Sequence, residues 1–342
     1  MRVAVYYSNE DVRIEERPVP RISRGEILVR MMAAGICGTD VMQWYRRKTA
    51  PRVLGHEMAG EIADVGDGVE CLRKGERVFV SHHVPCYECS YCVEGNYTAC
   101  EALHAGNYDP GGFSEFIRVP ERNVESGTFQ LPGAMSYEEA TMIEPLACVV
   151  LGQRQLALHR DQTVLIIGSG ISGLLHLLLA KSRGATVIAT DINKYRLEKA
   201  SEFGADHVID ASRYSIEKLK KVTDGKLAER VIVCAGAKQA VEHAASSVDR
   251  RGRILFFAVP EGEISLPSMR FWRDEITVTF SYGASPEDLR EAIALIENVT
   301  VNVKSMITHT LPLSRIQEGF KLVASAGDSL KVVIVPDGSP RE

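Results

Sequence analysis

Along the first 120 or so positions, apolar residues come in short runs broken by Gly, Pro and charge. Examples are Met1 to Tyr7, Glu26-Ile27-Leu28-Val29-Arg30, Gly60 to Gly66 and Arg77-Val78-Phe79-Val80. Short strands at this spacing predict a β-rich module. The texture changes after Ser136, where Tyr137 to Leu158 reads as one helix, with Ser136 as N-cap and Glu138 and Glu139 in the first turn. From Thr163 strand and helix alternate: strands over 163–167 and 185–190, helices over 172–182 and 194–203. Further strand candidates follow at 207–209, 230–234, 253–257 and 276–280. Strands separated by helices predict a parallel sheet with crossover connections. The last stretch, from about Pro286, has two helical segments and ends in the strand Lys331 to Val335.

The 342 residues suit about two domains. Forty Lys and Arg stand against forty-five Asp and Glu, a net charge of −5. That balance gives no basic surplus for nucleic acid. Ordinary apolar and charged fractions exclude a disordered chain. The longest apolar stretch, near Ile171 to Ala180, is too short to span a bilayer, and the N-terminus lacks the features of a secretory signal. The expectation is a cytoplasmic protein with neither membrane nor nucleic-acid partners.

Half of the eight cysteines fall in one cluster, Cys86-x2-Cys89-x2-Cys92-x7-Cys100. Four thiolates within fifteen residues can close tetrahedrally around Zn²⁺, as structural sites do. The ferredoxin run ends in x3-Cys-Pro, whereas here x7 is followed by Glu101. Zinc in a reducing compartment is the expectation.

Gly168-x-Gly170-x-x-Gly173 follows the strand Val164 to Ile167 and opens a helix. In that context it reads as a dinucleotide-binding turn, with the pyrophosphate at the helix N-terminus. Asp191 lies eighteen residues beyond Gly173, where a carboxylate can bind ribose hydroxyls and repel a 2′-phosphate. NAD is therefore expected over NADP. Arg196 is either a neighbour of the adenine or a solvated helix residue.

Cys37-Gly38-Thr39-Asp40 and Gly55-His56-Glu57 have no zinc spacing of their own. Taken with the cysteine cluster and the glycine turn, they resemble the zinc-dependent medium-chain dehydrogenase/reductase family, in its polyol (sorbitol) and threonine dehydrogenase branch. Gly111-Gly112-Phe113-Ser114-Glu115-Phe116, Glu144-Pro145-Leu146-Ala147 and Thr308-His309-Thr310-Leu311-Pro312-Leu313 extend the resemblance over essentially the whole chain.

The resemblance implies a fold of class α/β. A GroES-like, β-rich catalytic domain would span 1–145 with 285–342, and a doubly wound Rossmann NAD-binding domain 146–284. Cys37, His56, Glu57 and Glu144 match catalytic-zinc positions, Asp40 a carboxylate orienting the histidine, and Thr39 a hydroxyl proton relay. Cys148 is read as core packing. Ser172, Asp191, Arg196, Ala258, Val259 and Ser281 align with cofactor contacts, beside Gly168, Gly170 and Gly173. The implied cofactors are NAD and two Zn²⁺ per chain, and the implied assembly is a homotetramer or homodimer.

The implied activity is hydride transfer between NAD and a secondary alcohol of a polyol, sugar or sugar derivative, giving the ketone. The alternatives are a phosphorylated or acidic sugar alcohol, a 2-amino-3-hydroxy acid such as L-threonine, or a non-enzymatic relative that binds NAD and zinc. Three departures matter. Met42 stands where many members have a relay histidine, Ser281 stands where sorbitol enzymes have an arginine, and Tyr45 to Arg52 carries three consecutive cations. Those cations read as a solvated loop or subunit contact, or as partners of an anionic substrate group. His309 is read as structural.

Overall fold

The computed structural model describes residues 1–260 and 262–338. It divides into two compact units, 1–147 with 284–342 and 148–283.

The first unit is built on a seven-stranded sheet. Its order is Ile307–Pro312, Lys331–Val335, Ile27–Gly35, Glu57–Val65, Arg77–Val80 and Thr128–Gln130, with Phe116–Val119 also paired to Ile27–Gly35. A smaller sheet joins Asp11–Glu16, Arg2–Ser8 and Arg52–Val53. Their apolar faces enclose a core that includes Tyr6, Ile27, Met31, Met58, Ile62, Phe113, Phe320 and Ile334. Burying each such side chain stabilises the unit by about 1.5–3 kcal/mol. The strand Lys331–Val335 is buried along its whole length, so Lys331 needs a partner for its charge.

The second unit is a six-stranded parallel sheet. Its order is His207–Asp210, Thr186–Asp191, Thr163–Ile167, Ala228–Val233, Val248–Phe256 and Thr277–Phe280. The order reverses direction beside Thr163–Ile167, the crevice where doubly wound sheets bind ligands. Leu165, Ile188, Val231, Ile254 and Phe256 fill the core.

The helix expected over Tyr137 to Leu158 is instead two, Tyr137–Ala140 and Ile143–Gln155. Ser136 caps the first with a full capping box, its Oγ accepting from Glu139 N at 3.0 Å. Pro145 explains the break, because it has no N–H to give the Thr141 carbonyl and its ring would crowd that oxygen. In the second unit, Ile216–Val222, Lys238–Ser247 and Ser268–Arg273 are helices that the apolar pattern did not single out. Lys238–Ser247 follows Ala237, which offers no side-chain acceptor as a start signal.

Candidate functional site: two thiolate centres and a glycine turn

The strand Ile27–Gly35 leads into the turn Gly38–Val41, which Cys37 caps. Cys37 Sγ accepts from Thr39 N at 3.4 Å and from Thr39 Oγ1 at 3.3 Å. Asp40, fully buried, accepts from Cys37 N at 3.1 Å through Oδ2. His56 precedes the strand Glu57–Val65, whose first residue pairs with Gly35. The chain reaches this strand through Gly55, at φ +94°, where a Cβ would lie 2.8 Å from Phe113 N.

Cys37, His56 and Glu57 thereby each offer one ligand atom, all within 4.8 Å of one another. His56 Nδ1 lies 3.5 Å from Asp40 Oδ1, which leaves Nε2 as the nitrogen open to a metal. Burial lowers the His56 pKa, but the charges of Asp40 and Cys37 outweigh it and hold it well above the ordinary value. A site that favours positive charge this strongly, with sulfur, nitrogen and carboxylate donors, fits Zn²⁺.

Glu144 lies in the first turn of Ile143–Gln155, nearly buried, and is not among the three clustered ligand atoms. Its charge acts on Tyr108, as do those of Asp40 and Glu57. Burial, followed by the charges of Glu144, Asp40 and Glu57, pushes the Tyr108 hydroxyl well above its ordinary pKa. Cys148 belongs to neither cysteine-containing group. His309 Nδ1 is 3.0 Å from the neighbouring Thr308 hydroxyl.

Two neighbours escaped the sequence reading. The His82 ring lies 5.0 Å from His56 and 3.6 Å from His83. Their proximity in sequence to Cys86 was the available signal. Lys331 Nζ hydrogen-bonds Glu57 Oε2, with both side chains sealed from solvent.

The second group is Cys86, Cys89, Cys92 and Cys100, whose sulfurs also lie within 4.8 Å of one another. All are free thiols, with recorded sulfur separations of 3.5–3.9 Å. Cys86 N donates to Cys100 Sγ and Cys89 N to Cys86 Sγ, at 3.3 and 3.4 Å. Four sulfurs held by short turns and backbone donors suit a closed tetrahedral ion.

In the second unit, Gly168 has φ +97°, and a Cβ there would meet Cys234 backbone at 3.0 Å. At Gly173 it would lie 1.9 Å from Gly168 O. Neither position tolerates a side chain. Gly170 differs, because the nearest atom to its Cβ position is Arg196 Nη1 at 3.6 Å. It precedes the helix Ile171–Ser182, which contains Ser172 and has no side-chain cap. That leaves open space and free N–H groups, a cradle for a pyrophosphate.

Asp191 ends its strand and accepts from Ser169 N at 2.7 Å and Asn193 N at 2.8 Å. Its carboxylate thus ties the glycine turn to the next loop and keeps lone pairs for further donors. Ala258 N donates to Val233 O at 3.0 Å, and Ser281 N donates to Phe256 O at 3.3 Å. Val259 is half exposed. Arg196 Nε and Ser281 Oγ are buried atoms without a partner.

A β-rich unit with a thiolate–imidazole–carboxylate group and a second unit built on a parallel dinucleotide-type sheet together define a medium-chain dehydrogenase. Residues 23–129 match the alcohol dehydrogenase GroES-like domain, and residues 172–298 match the zinc-binding dehydrogenase domain. The chain is 31% identical to a sorbitol dehydrogenase of Bacillus subtilis, covering 98% of each. It is 32% identical to a D-arabitol-phosphate dehydrogenase of Enterococcus avium, covering 95% of this chain and 93% of that one. The solved galactitol-1-phosphate dehydrogenase of Escherichia coli superposes with a TM-score of 0.86 at 28% identity, covering 98% of this chain and 100% of that one. The chain belongs to the zinc-dependent alcohol dehydrogenase family, in the branch that holds the sorbitol dehydrogenases. It is an NAD- and zinc-dependent oxidoreductase of the polyol and sugar-alcohol class. No described helix is long and apolar enough to cross a membrane.

Proposed function

We propose that the chain interconverts a secondary alcohol of a polyol, sugar or sugar derivative and its ketone, with Cys37, Thr39, His56, Glu57 and Glu144 as the catalytic group. The observation that carries this reading is the convergence of Cys37, His56 and Glu57 ligand atoms within 4.8 Å, with Thr39 and Asp40 hydrogen-bonded around them. Zinc held by these three residues and Glu144 would supply a Lewis acid that lowers the pKa of the alcohol. NAD would accept the hydride.

The remaining work belongs to the chain. Asp40 accepts from His56 Nδ1 and fixes the tautomer. The Thr39 hydroxyl stands beside Cys37 Sγ, placed to exchange a proton with the reacting hydroxyl. Lys331 offsets the charge of Glu57 in the buried layer behind the site. Cys86, Cys89, Cys92 and Cys100 would hold a structural zinc that orders their lobe.

The NAD site is assigned to Gly168, Gly170, Ser172, Gly173, Asp191, Arg196, Ala258, Val259 and Ser281. The open face of Gly170, the uncapped helix and the unpartnered Arg196 Nε and Ser281 Oγ support it. A homodimer or homotetramer is supported by the edge strand Thr277–Phe280, where Phe280 is exposed. Eight free thiols accord with the cytoplasm. A second reading, an anionic sugar derivative as substrate, rests on exposed Arg47 and Lys48; Arg46 is turned inward. Reduction of NAD by neutral, phosphorylated and acidic sugar alcohols tests both readings. Loss of turnover in Cys37→Ser is expected, whereas turnover that survives it would overturn the assignment.

A further inference from the structure

Arg46 ends the short helix Gln43–Arg46 and folds back onto the Cys37–Asp40 turn, with its side chain 15% exposed. Its Nε donates to Thr39 O at 2.9 Å. Its Nη2 donates to Thr39 Oγ1 at 3.2 Å and to Asp40 Oδ1 at 3.4 Å. The neighbouring cations Arg47 and Lys48 are exposed, so the inward turn is particular to Arg46.

A guanidinium carries donors only and stays charged. Where it donates to a hydroxyl, the hydroxyl oxygen is the acceptor and the hydroxyl proton must point elsewhere. Among the described residues, the other side-chain partner of the Thr39 hydroxyl is Cys37 Sγ at 3.3 Å. A hydrogen bond to a thiolate draws charge from the sulfur and weakens it as a metal donor, which leaves the metal more electrophilic.

We propose that Arg46 is a positioning residue: in the enzyme without bound alcohol it holds the Thr39 hydroxyl with its proton on Cys37 Sγ, and so tunes the sulfur that holds the metal. This rests on the reading that Cys37 is a metal ligand. The fixed fork of Arg46 also grips the Thr39 carbonyl, so the hydroxyl and its backbone are held as one unit.

The test uses the full-length enzyme with cobalt in place of zinc. The sulfur-to-cobalt absorption that disappears in Cys37→Ser belongs to this centre. Without the hydroxyl proton the sulfur electrons are less stabilised, so Thr39→Val and Arg46→Met should each move that band to longer wavelength. Arg46→Met in the Thr39→Val background should move it no further. Arg46→Lys, which keeps the charge without the fork, should move it part of the way, and it stands in for Arg46→Met should that variant not fold. Turnover should follow the same pattern: kcat in Arg46→Met falls about tenfold, the lower range for groups that act through a metal ligand, with KM little changed.

A Cys37-dependent band that is present but unmoved in Arg46→Met would overturn this inference alone. So would an equal loss of kcat from Arg46→Met with and without the Thr39 hydroxyl, since a merely structural arginine costs the same in both. Absence of any Cys37-dependent band would overturn the metal assignment, and this inference with it.

Discussion

Lys331 and Glu57, 274 residues apart in the chain, form an ion pair with each side chain only 1% exposed. Gly35, opposite Glu57 in the sheet, makes room for it. A Cβ there would lie 2.3 Å from Glu57 Oε2 and 2.8 Å from Lys331 Cε. The pair lets a buried carboxylate stand with the Cys37 sulfur and the His56 ring without leaving the lobe with an unbalanced negative charge.

Breaking that pair from one side should be costly. Lys331→Met strands the Glu57 charge, and a loss of about 3–5 kcal/mol is expected for a buried partner removed alone. Adding Glu57→Gln should recover most of it, read by urea denaturation of the two single variants and the double. If the double variant is as unstable as the two losses added together, the residues are not coupled and the pair is incidental.

Two zinc ions per chain are expected, with different consequences on removal. Cys92→Ser should cost stability and solubility, because four sulfurs close that lobe. Cys37→Ser should remove one zinc and turnover while the fold survives. Metal analysis of purified protein and the two variants decides this, and a single zinc in the wild type would contradict it.

His176 supplies a pH prediction independent of any metal. It is fully buried in the helix after the glycine turn, and burial, with Arg183 nearby, lowers its pKa to about 3. The unfolded chain takes up this proton near pH 6.5, the folded one only near pH 3. Its contribution is therefore intact above pH 6.5 and is lost as pH falls toward 3, at up to about 1.4 kcal/mol per pH unit. Gln153 Nε2 donates to the His176 carbonyl at 2.7 Å and lies 3.4 Å from its Nδ1, while Nε2 of the ring has no partner. His176→Gln should flatten the acid limb of the stability curve by that slope. An unchanged acid limb would mean that the histidine is protonated without penalty.

Cofactor choice should follow Asp191. Its carboxylate is 6% exposed and bonded to Ser169 N and Asn193 N, so a 2′-phosphate on a cofactor bound there would face a fixed negative charge. NAD⁺ should be preferred over NADP⁺ by at least about tenfold in kcat/KM. Asp191→Ala should narrow the gap, as Arg196 Nε lacks a partner at present. Equal use of the two cofactors by the wild type would refute this.

What the sequence displays and what it hides follows from distance along the chain. The cysteine cluster and the glycine turn are local, so their spacing alone marks them. Their glycines prove necessary for reasons the sequence only implies, such as the 1.9 Å approach of Gly168 O at Gly173. Cys37 and His56 are 19 residues apart and needed a family pattern to be paired. The Lys331–Glu57 pair and the His82 ring beside His56 depend on sheet register and packing, which no short pattern encodes. The break before Ile143 had a visible cause in Pro145, but the apolar rhythm on both sides masked it. In the sequence Arg46 is one of three cations that read either as a solvated loop or as partners of an anionic group, and only the fold shows it turned onto Thr39 and Asp40.

The most direct test of the whole account is the appearance of reduced nicotinamide when the zinc-loaded protein is given NAD⁺ and a panel of sugar alcohols, their phosphate esters and sugar acids. At least one secondary alcohol in that panel should be oxidised to its ketone. The rate should vanish in Cys37→Ser and return when chelated wild-type enzyme is resupplied with Zn²⁺. A panel without turnover in fully metallated protein, or turnover that survives Cys37→Ser, would contradict the account.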